Sequence, residues 1–479
     1  MTRTTTRHSY QELFAKLGEA FDIDLPEIDL GPRGLPMRVR SFPFSSSGDI
    51  YPESDFGRQS STFRALISFF LENNPFSKRN FIRELQSPDR DVRENREFRY
   101  SVFVPGGENG AATAGAAFSG GSGGHATPRG DSPKARFDRA ILLLHGLNEK
   151  RWQKYLPWAA RLAELTGCPV ILFPIAFHMN RAPEAWANPR EMMGVAKERN
   201  RLFPDLCAGS FANAALSHRI QFAPHRFLIS GLETYLNLVQ LAREIHSGAH
   251  PCFSGGTRLD LFGYSIGASL AQLLMMANRE GLFSDSRAFL FCGGSVLDQA
   301  NPVARAIMDD EAHRAIVGYF ANVAADPEAH LPLKEQQLRN LERELEIIRS
   351  MLFRDQLASM REWIMRSVGR RVSVLAMNKD RVFHPEGVIN SWAAGDGEPL
   401  IDVTVANPDY DYSHEQPFPD RNSDAEVVDS FFEEVMGQAA GHLGSTKQRQ
   451  LADELPPAGP GFRPGAESAA LTGPNSGLQ

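Results

Sequence analysis

A chain of 479 residues can form one large catalytic domain with additions, or two domains. Its 42% hydrophobic and 23% charged residues exclude a fibre or a mostly disordered chain, and a net charge of -7 argues against general nucleic-acid binding. The apolar runs are too short to cross a bilayer.

In chain order, residues 1–95 read as an N-terminal extension of mixed helix and loop, with helices expected over 10–21 and 62–72. The start, MTRTTTRHSYQELF, lacks the apolar core of a secretory signal, so the expected location is cytoplasmic. Within 96–135, a strand over 98–104 leads into a Gly/Ala/Ser-rich stretch over 106–134. That stretch has too little apolar surface to offset its ordering entropy and reads as a flexible loop.

From residue 136 the pattern changes to short apolar runs alternating with helical ones, the signature of a parallel sheet with crossover helices. Strands are expected over 140–144, 169–174, 258–263, 288–292, 372–377 and 401–406. Helices are expected over 152–165, 232–245, 266–277 and 425–436. The core is thus divided into 136–301 and 371–440. Between them, 302–370 reads as a helical cap insertion, in which Leu338, Leu341, Leu345, Ile348 and Leu352 recur at three- and four-residue steps on one long helix. That helix, over 333–366, could instead pack on the flank or receive a protein partner. The tail, 441–479, is rich in Pro, Gly and Ser and reads as disordered. The four cysteines show no paired spacing and read as buried small hydrophobes, with no metal site and no cofactor expected.

The strongest chemical signal is LDLFGYSIGASL over 259–270, where a strand enters Gly263-Tyr264-Ser265-Ile266-Gly267 and a helix leaves it. A nucleophile on a sharp strand-to-helix turn needs small residues two before and two after it, because strand and helix approach closely there. A serine also needs a histidine base and an acid that orients it. Asp380 follows the strand over 372–377 and is the candidate acid; His414 follows the last strand and is the candidate base. Asp298 is a rival acid and His384 a rival base, although His384 shares a loop with Asp380. For an oxyanion, the amides of Ile266 and Leu147 are the candidate donors, with Gly146 allowing the turn between His145 and Leu147.

The His145-Gly146 loop, the Gly263-to-Gly267 elbow, Asp380 and His414 together resemble the α/β-hydrolase superfamily, over about residues 136–438. The run LHGLNEKRWQKYLPW over 144–158 further resembles a bacterial branch of it without an assigned substrate. The resemblance implies a doubly wound, mostly parallel sheet and acyl-enzyme hydrolysis of an ester-like bond at Ser265, without a metal or organic cofactor. The expected substrate is a small-molecule or lipid-like acyl compound. Acyl transfer by the same residues, or a hydrolase-derived scaffold with no catalysis, are the alternatives. Arg181, assisted by His178, is a candidate for binding a substrate anion; the competing reading is an ion pair that anchors the insertion beginning at residue 176.

Overall fold

The computed structural model describes residues 8–48, 50–52, 85, 87–106, 136–420 and 424–444. The helix expected over 62–72, nearly all of the Gly/Ala/Ser stretch and most of the tail lie outside the described residues.

Among the described residues, nine strands form one sheet: β1 (Glu27–Asp29), β2 (Met37–Ser45), β3 (Glu97–Pro105), β4 (Phe137–Leu144), β5 (Val170–Leu172), β6 (Phe253–Tyr264), β7 (Ala288–Phe291), β8 (Val372–Met377) and β9 (Val403–Ala406). Their order is β1-β2-β3-β5-β4-β6-β7-β8-β9. The pairings from β1 to β5 are antiparallel, and those from β5 through β4 to β9 are parallel. After β4 the chain runs outward to β5, then crosses back to place β6 on the other side of β4. This reversal opens a crevice at the carboxyl ends of β4 and β6, where α/β sheets bind their ligands. The architecture is the α/β-hydrolase fold.

The parallel strands are apolar throughout because both faces are covered. Alternate residues divide between two cores. Leu142, Leu144, Leu259 and Leu261 face the helices His225–His246 and Ile266–Ala277. Ile141, Leu143, Phe262 and Tyr264 face the helices Tyr10–Ala20, Tyr155–Thr166 and Ala425–Gly444.

Three expectations need correction. The segment 1–95 is not only helix and loop, since β1 and β2 extend the main sheet. β2 alternates apolar with arginine and carries Pro43, which disguises it. β1 pairs only with residues 38–40, so at Pro43 one side of β2 is an open edge and the missing N–H breaks no ladder. The long helix of the insertion is broken: Glu335–Asn340 and Glu342–Ser350 meet at Leu341 (φ -115°, ψ 13°), and the second ends before Leu352. The apolar stripe itself holds, with Leu341, Leu345 and Leu352 all buried; the bend lets it follow the flank of the helix Ile266–Ala277. Last, Cys207 is exposed, while Cys168, Cys252 and Cys292 are buried and all four are free.

Among the described residues no helix is long and apolar enough to cross a membrane, and no cluster of three or more His, Cys, Asp or Glu is arranged to hold a metal ion.

Trp158 is fully buried under the sheet, its ring 5.2 to 6.0 Å from those of Phe262, Tyr264, Phe291 and Phe418. Trp158→Ala should therefore lower unfolding free energy by about 3–5 kcal/mol, measured by chemical denaturation.

Candidate active site

Ser265 stands where β6 ends and the helix Ile266–Ala277 begins. Its backbone lies at φ 58°, ψ -126°, a strained region for a residue with a side chain. Two glycines permit the turn. A Cβ on Gly263 would come within 2.6 Å of Ala268 Cα, and one on Gly267 within 2.8 Å of the His145 carbonyl oxygen. A third contact went unread in the sequence: a Cβ on Gly293 would come within 2.6 Å of the Ser265 carbonyl oxygen. Its only signal was the Gly-Gly pair directly after β7. The Ser265 amide donates to Phe291 O (3.1 Å), so β7 helps to hold the turn.

The three residues predicted to act together do meet. Ser265 Oγ lies 2.8 Å from His414 Nε2, and His414 Nδ1 lies 2.8 Å from Asp380 Oδ2. All three are buried. The other carboxylate oxygen of Asp380 accepts from the amides of Val382 (2.8 Å) and Phe383 (2.9 Å), which fixes the acid's orientation. The His414 ring is stacked on Tyr264, whose hydroxyl donates to the His414 carbonyl, and Phe383 lies 5.6 Å from the same ring. The rivals stand apart. Asp298 is exposed and accepts from the Arg354 amide, and His384 is exposed at the start of the helix Pro385–Ser391.

The loop after β4 is braced by two imidazoles. The Ile175 amide donates to His145 Nε2 (2.9 Å), so Nδ1 carries the proton and donates to Gly146 O (2.8 Å). The Asn148 amide donates to His178 Nε2 (2.8 Å), whose Nδ1 donates to Ala176 O (2.8 Å). Both rings must stay neutral to accept from an amide. Burial pushes His145 well below the usual imidazole range and His178 down to about 3. The Gly146 amide donates to Tyr155 Oη (3.0 Å). Gly146 and Asn148 thus spend their amides on the scaffold, and among the described residues the amides of Leu147 and Ile266 find no partner. Leu147, Ser265 and Ile266 border the same cavity. Tyr155 and Asn148, whose side chain also ties Ala212 and Ala306 to the loop, were not singled out in the sequence. A lone tyrosine or asparagine near a loop carries no local signal for such a role.

Of the two readings of Arg181, substrate binding with His178 is overturned and anchoring of the insertion holds, though not by an ion pair. Arg181 is fully buried, with its guanidinium donating to Pro174 O (3.1 Å), Asn95 O (3.0 Å) and Asn237 Oδ1 (2.9 Å) and stacked over Phe98. It ties the insertion to the sheet through carbonyls rather than through an ion pair, and His178 is committed to the loop.

A family model described as "Family of unknown function (DUF6051)" matches residues 129–444, from just before β4 to the end of the last helix. The chain belongs to this family. No curated protein matches the sequence. Among solved structures, a hyperthermophilic esterase from the archaeon Pyrobaculum calidifontis is similar at 11% identity and a TM-score of 0.31, covering 78% of this chain and 98% of its own. Carboxyl esterase 2 from the mycorrhizal fungus Tuber melanosporum is 11% identical with a TM-score of 0.34, covering 73% of this chain and 82% of its own. Overlaps of this size are too low to weigh, and the fold stands on the strand order itself.

The braced loop has a pH signature. His145 and His178 take up protons more readily in the unfolded chain than in the folded one. The stability they favour is therefore complete above about pH 6.5 and is lost as pH falls below it, for His178 down to about pH 3. Each should contribute a loss of about 1.4 kcal/mol per pH unit below 6.5, read by urea denaturation. His178→Gln, which keeps an acceptor, should make that slope shallower by one group's share.

Proposed function

We propose that this protein is a serine hydrolase that cleaves an ester-like bond through an acyl-enzyme on Ser265. The observation that carries the reading is the pair of 2.8 Å contacts linking Ser265, His414 and Asp380. In the first half-reaction Ser265 Oγ attacks the carbonyl carbon while its proton passes to His414 Nε2. Asp380 holds the ring by Nδ1 and stabilises the imidazolium that forms. The amides of Leu147 and Ile266 receive the negative charge on the carbonyl oxygen. The tetrahedral intermediate then collapses, the bond to the leaving oxygen breaks, and that oxygen takes the proton from Nε2. In the second half, water gives a proton to His414 as its oxygen attacks the acyl carbon. The proton then returns to Ser265 Oγ as the acid is released.

The substrate favoured is a lipophilic ester. The cavity at Ser265, about 140 Å³, is lined by Ile307, Met308, Ile316, Val317, Phe320 and Phe353, mostly from the insertion after β7. The helix Asp310–Ala325 of that insertion packs on the helix Ala214–Phe222 of the earlier one, so a lid over the site draws on both.

A fluorophosphonate probe should label the protein at Ser265, and Ser265→Ala should abolish the labelling. Asp380→Asn should lower kcat on a short-chain ester by about 10⁴-fold while the fold is retained, checked by circular dichroism. A folded wild-type protein that takes up no probe would sink the proposal.

A further inference from the structure

The cavity at Ser265 has a neighbour. A second cavity, about 150 Å³, lies behind Ile266, and Leu147, Phe227, Ile266 and Leu297 border both. Its walls come from the helices His225–His246 and Ile266–Ala277, from residues 175–178 and the helix Ala214–Phe222, and from Ile347, Ile348 and Met351.

Two features distinguish it from a packing defect. Gly231 borders it from the interior of a 22-residue helix. Glycine weakens a helix relative to alanine, and a Cβ at this position would meet no atom within 4 Å. The backbone has no need of glycine there, and what the missing side chain preserves is open space. The second feature is polar. Ser269 and Ser295 both border the cavity, their hydroxyls have no partner among the described residues, and Ser295 is only 1% exposed. Buried hydroxyls are ordinarily bonded, so two groups beside this apolar wall lack a bond that an occupant could supply.

The direction of the ester across the two cavities follows from His414. The imidazole protonates the leaving oxygen, so that oxygen departs on its side, where Val382 and Phe383 border the Ser265 cavity. The acyl chain, held on Ser265, turns the other way past Ile266. We propose that the second cavity is the acyl-chain site, and that it takes a chain of about six carbons bearing a hydroxyl or keto oxygen, which Ser269 and Ser295 bind. This rests on the ester-hydrolase reading. The length follows from volume, since a space of about 150 Å³ accommodates about six carbons. The oxygen follows from the hydroxyls, because a site built to hydrogen-bond a substrate disfavours the analogue that leaves its groups unpaired.

The test is a series of esters with one leaving alcohol and acetyl, hexanoyl, dodecanoyl and hydroxy- or oxo-substituted hexanoyl groups. kcat/KM should be higher for hexanoyl than for acetyl or dodecanoyl, and about tenfold higher again for an oxygenated hexanoyl group. Ser295→Ala should remove that last increment. Gly231→Phe, which fills the cavity, should lower the hexanoyl-to-acetyl ratio by about tenfold or more, and Ile348→Trp should do the same from the facing wall if the helix variant fails to fold. An unchanged ratio in a folded variant overturns the chain site, and equal turnover of plain and oxygenated hexanoyl esters overturns the role of the serines. If no ester is turned over and no phosphonate is taken up, the hydrolase reading fails and takes this inference with it.

Discussion

The site depends on how closely the carboxyl ends of β4 and β6 approach each other. Gly267 sits against the main chain of Leu144 and His145, at a distance that leaves no room for a methyl group. That contact joins the first turn of the helix Ile266–Ala277 to the loop after β4. It therefore brings the amides of Ile266 and Leu147 beside the same serine. The strain at Ser265 is the conformational counterpart of this packing. A residue with positive φ persists there because β7, Gly293 and the helix leave the turn no alternative.

The loop after β4 is made rigid by a different device. Backbone amides are usually satisfied by backbone carbonyls, but here two are satisfied by neutral imidazoles and a third by a tyrosine hydroxyl. Placing His145 and His178 in a dry interior is costly only if they are charged, and both rings are held in the neutral form by the amides they accept from. The outcome is a loop in which one amide, that of Leu147, stays uncommitted between two that are tied. An oxyanion site needs this kind of preorganisation, since donors that had to reorient during the reaction would lose much of their effect.

Residues of two insertions border the cavity at Ser265. Asn148 bonds to a carbonyl from each, Ala212 in one and Ala306 in the other, so the loop beside the serine is tied to both. Arg199 binds Asp309 through both carboxylate oxygens (2.7 Å each) in a buried pair that joins the two insertions further out. Arg181, which looked from its position like a substrate contact, serves the same end by anchoring the base of the first insertion to main-chain carbonyls.

The elements whose side chains obey a local rule were legible in the sequence. The helix Ile266–Ala277 and β8 have the bounds expected of them, and Gly263, Ser265 and Gly267 announce a strand-turn-helix because only small residues allow it. Chain order and strand-end position were enough to select Asp380 and His414, since a parallel sheet gathers all its carboxyl ends on one rim. Where partners are distant in sequence, local pattern carried no information. β2 was hidden because its arginines and Pro43 are acceptable only beside a short β1 and a long β3. The bend at Leu341 reflects the surface it follows, and the fate of Arg181 depended on carbonyls and an asparagine that only the folded chain brings within reach. The sequence by itself determined which residues could do chemistry and on which edge of the sheet they would stand, because periodicity and glycine placement are local properties. The tertiary structure alone decided which of them touch, which amides stay unspent and what space lies behind the serine, because those follow from packing between segments far apart in the chain.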